Sequence, residues 1–183
     1  IDEFLGAVHG RDVVSRAELA LDANGKALAL RVKGYANVGA YGTATGIAIQ
    51  VLIGPWVSTS IYDIPVIDEQ FVAVLTNTTP TGAYRGAGRP EAIYLTERLM
   101  DAAARKLKMD PAEFRRRNFV QSFPHQTPVI MCYDAGDYAA ALDKALDFGG
   151  RGLHDKYYAA GFDTLYVITD GAPTAGAIDA QNP

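Results

Sequence analysis

The residues best suited to chemistry lie in one glycine-rich stretch, Gly82-Ala-Tyr-Arg-Gly-Ala-Gly-Arg89. Its three glycines allow the backbone to approach a bulky partner closely. Arg85 and Arg89 add planar, permanently charged groups, and the predicted helix that follows presents unpaired N–H groups to oxygen atoms. This combination predicts a cradle for a phosphate-bearing or oxygen-rich cofactor. The alternative is a tight strand-to-helix turn whose arginines pair with nearby carboxylates.

Few other side chains have the spacing that a reactive site requires. The glycine-rich stretch matches neither the phosphate-binding loop nor the dinucleotide fingerprint. His9, His125 and His154 are not spaced as metal ligands, so we predict no protein-ligated metal. Cys132 has no basic neighbour in sequence, which indicates a small buried side chain rather than a reactive thiol. Glu91 could act as a base at the start of a helix, but complementarity to the helix dipole also explains it.

The composition is that of an ordinary globular protein. A net charge of -4 argues against a surface for nucleic acid or acidic lipid. The basic run Arg115–Arg117 is balanced by Asp110 and Glu113, and we interpret it as a solvated helix face. A single cysteine excludes an internal disulfide and fits a cytoplasmic location. No apolar run approaches the roughly 20 residues that span a bilayer. Because the chain begins with Ile1, we expect the true start to lie upstream.

The first half of the chain predicts strands. Residues Val13 to Val32 form a hairpin pattern, and Asn24-Gly25 supplies the positive φ values of a tight reversal. Residues 34–65 are rich in glycine with poor periodicity, which leaves two possibilities, strand and loop or a helix in the middle. Phe71 to Asn77 is the clearest strand, since it is short, β-branched and bounded by turn residues.

Three helices are predicted after the glycine-rich stretch. Pro90 suits a first helical position, and apolar residues recur at spacings of three and four as far as Leu107. A second helix opens with Asp110 as its cap and Glu113 three residues later. A third begins near Asp137 and runs to about Leu146.

Ala83-Tyr-Arg-Gly-Ala-Gly-Arg-Pro-Glu-Ala92 resembles the active-site loop of xanthine dehydrogenase and aldehyde oxidase-type molybdenum hydroxylases, in the form of the carbon-monoxide-dehydrogenase-like branch. The resemblance covers roughly residues 1–147. It implies a fragment of a molybdopterin-binding domain of the α+β class, with mixed and antiparallel strands followed by helices. Other segments resemble family landmarks in the right order: His9–Asp12, Ala36–Tyr41, Tyr62–Pro65, Thr76–Thr78, Asp110-Pro111, Arg115–Asn118, Phe123-Pro124, Thr127-Pro128 and Tyr133–Asp137.

The resemblance implies part of an oxidoreductase that hydroxylates carbon centres of aldehydes or heterocycles with oxygen derived from water. In this family the electrons pass to iron–sulfur clusters and FAD on partner subunits or domains. A non-catalytic scaffold piece of the same family is the alternative.

The resemblance also implies roles for the loop residues. The position of Arg85 contacts molybdopterin, and the backbone from Gly86 to Gly88 forms part of the cofactor and substrate pocket. Carbon monoxide dehydrogenases carry a copper-binding cysteine where this chain has Gly86, so a Mo–Cu centre is not expected. Purine oxidases carry a substrate-stacking phenylalanine at Ala87, and an alanine cannot form that aromatic contact. The implied substrate is therefore an aldehyde or an N-heterocycle other than a purine.

Two family features are missing from the chain. The catalytic glutamate lies far C-terminal of this region, and the glycine-rich segment before the His9–Asp12 landmark is absent. We therefore expect no catalytic residue here and no turnover by this chain alone. Tyr84 and Arg89 are expected to orient the loop.

The tail, residues 148–183, departs from the hydroxylase pattern and is predicted to form a separate region. Phe148 to Gly152 has the composition of a linker, and Thr164 to Ile168 that of a buried strand. Asp163 to Thr174 is similar to the metal-site loop of von Willebrand factor A-type domains, where the position of Asp170 helps to hold a divalent cation. One aspartate does not bind such an ion usefully. A fusion, an artefact of assembly, a coincidental strand and a cation-dependent binding module all remain open.

Overall fold

A computed structural model of the chain describes residue 2 and residues 6–152, with side chains as far as residue 147. A mixed three-stranded sheet and the longer helices that follow it confirm the predicted α+β class, although a short helix interrupts the strands and two short strands follow later. The chain divides into two compact units, the second of which begins at Asp137. The elements are β1 (Val13–Leu21), β2 (Ala27–Gly39), α1 (Ala44–Ala48), a π-helical turn (Ile49–Ile53), a 3-10 turn (Pro55–Val57), β3 (Val66–Leu75), α2 (Arg89–Leu107), α3 (Pro111–Asn118), β4 (His125–Gln126), β5 (Cys132–Tyr133) and α4 (Tyr138–Gly152).

The hairpin predicted from Asn24-Gly25 is present, with a longer turn than expected. Strands β1 and β2 pair antiparallel. Of the two turn residues only Gly25 has a positive φ, 81°. The Asp22 carboxylate accepts hydrogen bonds from the backbone N–H groups of Asn24 and Lys26, at 2.8 Å each. The asparagine–glycine signal therefore located the reversal correctly, and Asp22 sets its length.

Strand β3 lies parallel to β2, with Gly34 opposite Phe71. It begins five residues before the predicted strand. The polar residues Asp68, Glu69 and Gln70 in its first half do not fit the apolar pattern on which the prediction was based. The carboxylate of Asp68 has a partner on the neighbouring strand β2, where Arg31 Nε donates to it at 3.0 Å. Burial raises the pKa of the Glu69 carboxyl to about 7, although a hydrogen bond with Ser58 acts in the opposite direction.

The glycine-rich segment between β2 and β3 contains the helix that was one of its two predicted forms. Thr43 begins α1, its hydroxyl oxygen accepting from Gly46 N at 2.9 Å. The next turn, Ile49–Ile53, is π-helical. Such turns are rare and are often found at functional sites.

Helices α2 and α3 begin where the sequence predicts. Pro90 lies in the first turn of α2. The Asp110 carboxylate caps α3 by accepting from Glu113 N at 2.9 Å. The core between sheet and helices includes Leu30, Val32, Tyr62, Met100 and Phe114, each at most 2% exposed.

The predicted solvated helix face is wrong for one arginine. The side chain of Arg115 is only 16% exposed and bridges Glu97 at 2.7 Å and Asp101 at 2.8 Å. Tyr62 donates to the same Glu97 at 2.7 Å, and burial together with that carboxylate raises the pKa of the tyrosine hydroxyl. Arg115 therefore ties α3 to α2, and only Arg117, paired with Glu113 at 3.3 Å, lies on an exposed face.

A second buried polar residue fixes the hairpin turn against α3. Asn118 is fully buried, and its amide donates to the carbonyl oxygens of Gly25 at 3.0 Å and Phe114 at 2.9 Å. Its side-chain oxygen accepts from Ala27 N at 2.7 Å. One side chain thus joins two elements that lie some ninety residues apart in sequence.

The remaining elements correct two predictions. Cys132 is exposed rather than buried, because it lies on β5 in a ladder of only two residues with β4.

In the second unit, Asp137 Oδ1 accepts from Ala140 N at 3.0 Å at the predicted start of α4. This helix continues through the expected linker to Gly152. The predicted strand at Thr164–Ile168 lies outside the described residues. None of the helices within the described residues is long and apolar enough to cross a membrane.

Candidate functional site

The glycine-rich loop between β3 and α2 is anchored to the start of the chain. His9 forms a parallel bridge with Thr81. Its N–H donates to Pro80 O at 2.9 Å, and its carbonyl oxygen accepts from Gly82 N at 2.8 Å. The Thr43 hydroxyl also donates to Thr81 O at 3.0 Å. Hydrogen bonds from the segments that contain His9 and Thr43 therefore hold the start of the loop in place.

Three consecutive loop residues have left-handed backbone conformations. The φ angles are 97° at Gly86, 47° at Ala87 and 85° at Gly88. Ala87 N donates to Tyr84 O at 2.9 Å, and Arg89 N donates to Gly86 O at 3.1 Å. An alanine in this region costs about 1–2 kcal/mol, so the surrounding contacts must hold it there.

The partners that require glycine lie within the chain. A β-carbon on Gly88 would lie 2.6 Å from Ile49 O in the π-helical turn. One on Gly86 would lie 2.6 Å from Pro90 Cγ, and one on Gly82 would lie 2.8 Å from a Val8 methyl group. These glycines therefore allow the loop to pack closely against its own neighbours, and the predicted close approach to a cofactor stays a prediction.

One arginine that the sequence did not single out contacts both ends of the loop. Arg11 Nη2 donates to Arg85 O at 2.6 Å. Its Nε lies 3.3 Å from Glu91 Oε1 in the first turn of α2, and its guanidinium carbon lies 4.6 Å from the centre of the Tyr84 ring. Arg11 was noted only as part of the His9–Asp12 motif, since its partners lie more than seventy residues away.

Within the part of the chain that the structure describes, the two loop arginines do not pair with carboxylates. Arg85 is exposed, and its guanidinium makes no hydrogen bond or ion pair with the described part of the chain. Arg89 Nη1 reaches only Gly86 O, at 3.5 Å. The nearby carboxylate, Glu91, pairs with Arg11 through Oε1, and its Oε2 is buried without a partner among the described residues. The alternative of a turn closed by arginine–carboxylate pairs is therefore not what the structure shows.

The segment that carries Arg11 is itself held at Asp12. Asn37 Nδ2 donates to Asp12 Oδ2 at 2.7 Å. The same amide group also bonds Thr78 Oγ1 at 3.1 Å, and its oxygen accepts from Thr76 Oγ1 at 2.6 Å. Three motifs noted separately in the sequence thus meet beside the loop.

Space behind the loop is too small for a cofactor. A cavity of about 30 Å³ lies there, lined in part by Ile49, Gln50, Gly88 and Glu91. That volume is enough for about one or two water molecules. This cavity is therefore too small for a cofactor, whereas the side chain of Arg85 is exposed.

The remaining candidate residues lie away from the loop. His125 lines a polar cleft of about 400 Å³ with Lys26, Asp63 and Arg117. Its charged side chains already have partners, since Lys26 pairs with Asp63 at 2.9 Å and Arg117 donates to Asn24 O at 2.7 Å. Among the described residues, no group of three His, Cys, Asp or Glu side chains could hold a metal ion.

Comparison with known proteins gives close matches over most of the chain. It is 42% identical over 152 residues to the carbon monoxide dehydrogenase large chain of Hydrogenophaga pseudoflava, covering 80% of this chain and 19% of that protein. It is 31% identical over 159 residues to subunit gamma of the 6-hydroxypseudooxynicotine dehydrogenase complex of Paenarthrobacter nicotinovorans, with the same coverage of both chains. The chain therefore spans about a fifth of the length of these relatives.

The fold agrees with the sequence comparison. The structure of quinoline 2-oxidoreductase from Pseudomonas putida 86 matches with a TM-score of 0.73 and 32% identity, over 87% of this chain and 21% of that chain. These relatives confirm the resemblance to the large subunit of molybdenum hydroxylases. Because the family model of the molybdopterin cofactor-binding domain matches residues 1–119, the chain belongs to that family.

Proposed function

We propose that this chain forms part of the cofactor and substrate pocket of a molybdenum-dependent hydroxylase, and that Arg85 binds the molybdopterin. The observation that carries the proposal is the exposed guanidinium of Arg85, which has no partner in the described part of the chain although its backbone carbonyl accepts a hydrogen bond from Arg11 at 2.6 Å. A fixed main chain with a free, permanently charged side chain is the arrangement expected of a ligand-binding group.

The chemistry of the donor set fits the cofactor. A guanidinium presents paired N–H groups that match phosphate and other oxygen-rich groups, and bonds to charged partners are about twice as strong as neutral ones. When bound, the cofactor supplies oxidation of a substrate carbon with oxygen derived from water. The chain's own contribution is to bind and orient that group through Arg85 and the backbone from Gly86 to Gly88.

The small residues Gly86 and Ala87 limit the classes of substrate that the loop can bind. The most similar relatives include proteins named for carbon monoxide, nicotine and quinoline. Gly86 carries no thiolate to bind copper, which argues against a Mo–Cu centre despite the identity with carbon monoxide dehydrogenase. Ala87 offers no ring for stacking, which argues against purines. We assign an aldehyde or an N-heterocycle other than a purine as substrate.

Catalysis also needs groups from outside the chain. Glu91 is a poor candidate for the base, because its carboxylate is paired with Arg11. We propose that the catalytic glutamate lies in a later segment of the subunit, and that partner subunits carry iron–sulfur clusters and FAD. We assign residues 1–147 to the cofactor-binding domain and residues 148–183 to a different region.

Substitution of Arg85 in the full-length subunit tests the proposal. Loss of charge-assisted bonds worth about 1.5–3 kcal/mol should weaken retention of molybdenum and pterin roughly ten- to hundredfold in Arg85→Ala. Arg105→Ala, at the exposed far end of α2, is the matched control and should retain both. Full occupancy and activity in Arg85→Ala would refute the assigned role. A wild-type subunit that contains neither molybdenum nor pterin would instead favour the scaffold alternative.

A further inference from the structure

The contacts of Arg11 span the loop in a way that no other described side chain does. It bonds the main chain at Arg85, lies over the ring of Tyr84, and pairs with Glu91 in the first turn of α2. Two of these partners precede the three left-handed residues and one follows them. We propose that Arg11 is a positioning residue that fixes the direction in which Arg85 presents its guanidinium to the pterin. This inference rests on the function proposed above.

The bond to Arg85 O controls a peptide that would otherwise rotate easily. The next residue is Gly86, at a φ of 97°, and glycine permits both signs of φ at little cost. Without the 2.6 Å bond to its carbonyl oxygen, Arg85 could take up other backbone φ and ψ angles, and the direction of its side chain would no longer be fixed. The main-chain oxygen and the side chain belong to one residue, so holding the first limits the directions open to the second.

Arg11 itself is not placed to bind a ligand. Its side chain is 33% exposed, and its guanidinium already has three partners. Arg85, in contrast, is exposed and has no side-chain partner in the described part of the chain. Arg11 therefore acts through Arg85 rather than beside it.

The geometry requires a guanidinium and not only a positive charge. Nε and Nη2 point to different partners, while the guanidinium carbon lies over the Tyr84 ring, 4.6 Å from its centre. A lysine ammonium is compact and cannot stack or bond in this forked manner. Arg11→Lys should therefore keep the pairing with Glu91 and lose the hold on Arg85 O.

A double-mutant cycle in the full-length subunit tests the proposal. The rate of pterin release, followed by fluorescence of the released and oxidised pterin, should rise about tenfold in Arg11→Ala and in Arg85→Ala. If Arg11 acts through Arg85, Arg11→Ala should add less than about twofold in the Arg85→Ala background. Arg16→Ala is the control, since Arg16 is 84% exposed on β1. Independent, multiplicative effects of the two substitutions would overturn the proposal.

Two further measurements separate positioning from loss of folding and from failure of the proposed function. Arg11→Lys should release pterin nearly as fast as Arg11→Ala, and full rescue by lysine would overturn the need for a guanidinium. In the cofactor-free subunit, the Ala87 and Arg89 amides should exchange hydrogen about tenfold faster in both Arg11 variants. Unchanged exchange would refute the hold on the loop. A wild-type subunit that binds no pterin would defeat the proposed function and the positioning role together, while faster exchange would still establish the hold.

Discussion

Adding one methyl group at Gly88 should destabilise the fold more than its size suggests. The added β-carbon would lie 2.6 Å from Ile49 O and 2.8 Å from Gly54 Cα, and both neighbours are backbone atoms that cannot swing aside. The φ of 85° is also unfavourable for alanine. The left-handed conformation costs about 1–2 kcal/mol and overpacking about 1–3 kcal/mol, so Gly88→Ala should lose about 2–5 kcal/mol.

Urea and thermal unfolding of the chain measure this loss. At about 2–4 °C per kcal/mol for a protein of this size, the melting temperature should fall by roughly 4–20 °C. Gly6→Ala is the control, because no described residue other than its chain neighbours lies within 4 Å of the position of its added β-carbon. Ala87→Gly should act in the opposite direction, gaining up to about 1 kcal/mol by relieving the φ of 47°. A change of less than about 0.5 kcal/mol in Gly88→Ala would refute the close contact with the π-helical turn.

Two further predictions concern buried polar groups. Asn118→Ala should cost about 2–4 kcal/mol in urea unfolding, because it leaves Ala27 N and Gly25 O buried without their partner. Asn24→Ala, at the exposed turn, should cost much less, and equal losses would contradict this. The pKa of Glu69 is raised to about 7 in the fold, so its contribution to stability is complete below the unfolded pKa and is lost as the pH rises through 7. Glu69→Gln should therefore be more stable than wild type at pH 8, by about 1 kcal/mol after allowance for partial exposure, and this advantage should vanish towards pH 4.5.

Features with a local physical cause could be predicted from the sequence. The cap at Asp110 depends on a residue three positions away, and the reversal at Gly25 depends on its immediate neighbours. Pro90 marks the first turn of α2 through its own missing N–H. In each case the residues that cause the feature lie within about four positions of it in the sequence.

Features with a distant cause could not be predicted in this way. Arg115 looks like part of a solvated run until α2 brings Glu97 and Asp101 to it. In the sequence Arg11 is only part of a short motif, because its partners lie beyond residue 80 and are brought to it by the fold. The glycines of the loop were noticed, but the atoms that exclude a β-carbon come from Ile49, Pro90 and Val8. The residue types of the loop predict a cofactor cradle, and the resemblance adds which cofactor and which residue roles are expected.

The contacts on the two faces of the loop differ, and this difference explains how a strained segment can serve as a binding surface. On the inner face, Gly88 packs against Ile49 while Arg11 holds Arg85 O, so the left-handed Ala87 is fixed from both sides. Contacts within the chain therefore offset the backbone strain at Ala87 in the absence of a ligand. On the outer face the Arg85 guanidinium has no competing partner among the described residues. A ligand that binds there need not order the loop, and its binding energy is not spent on that cost.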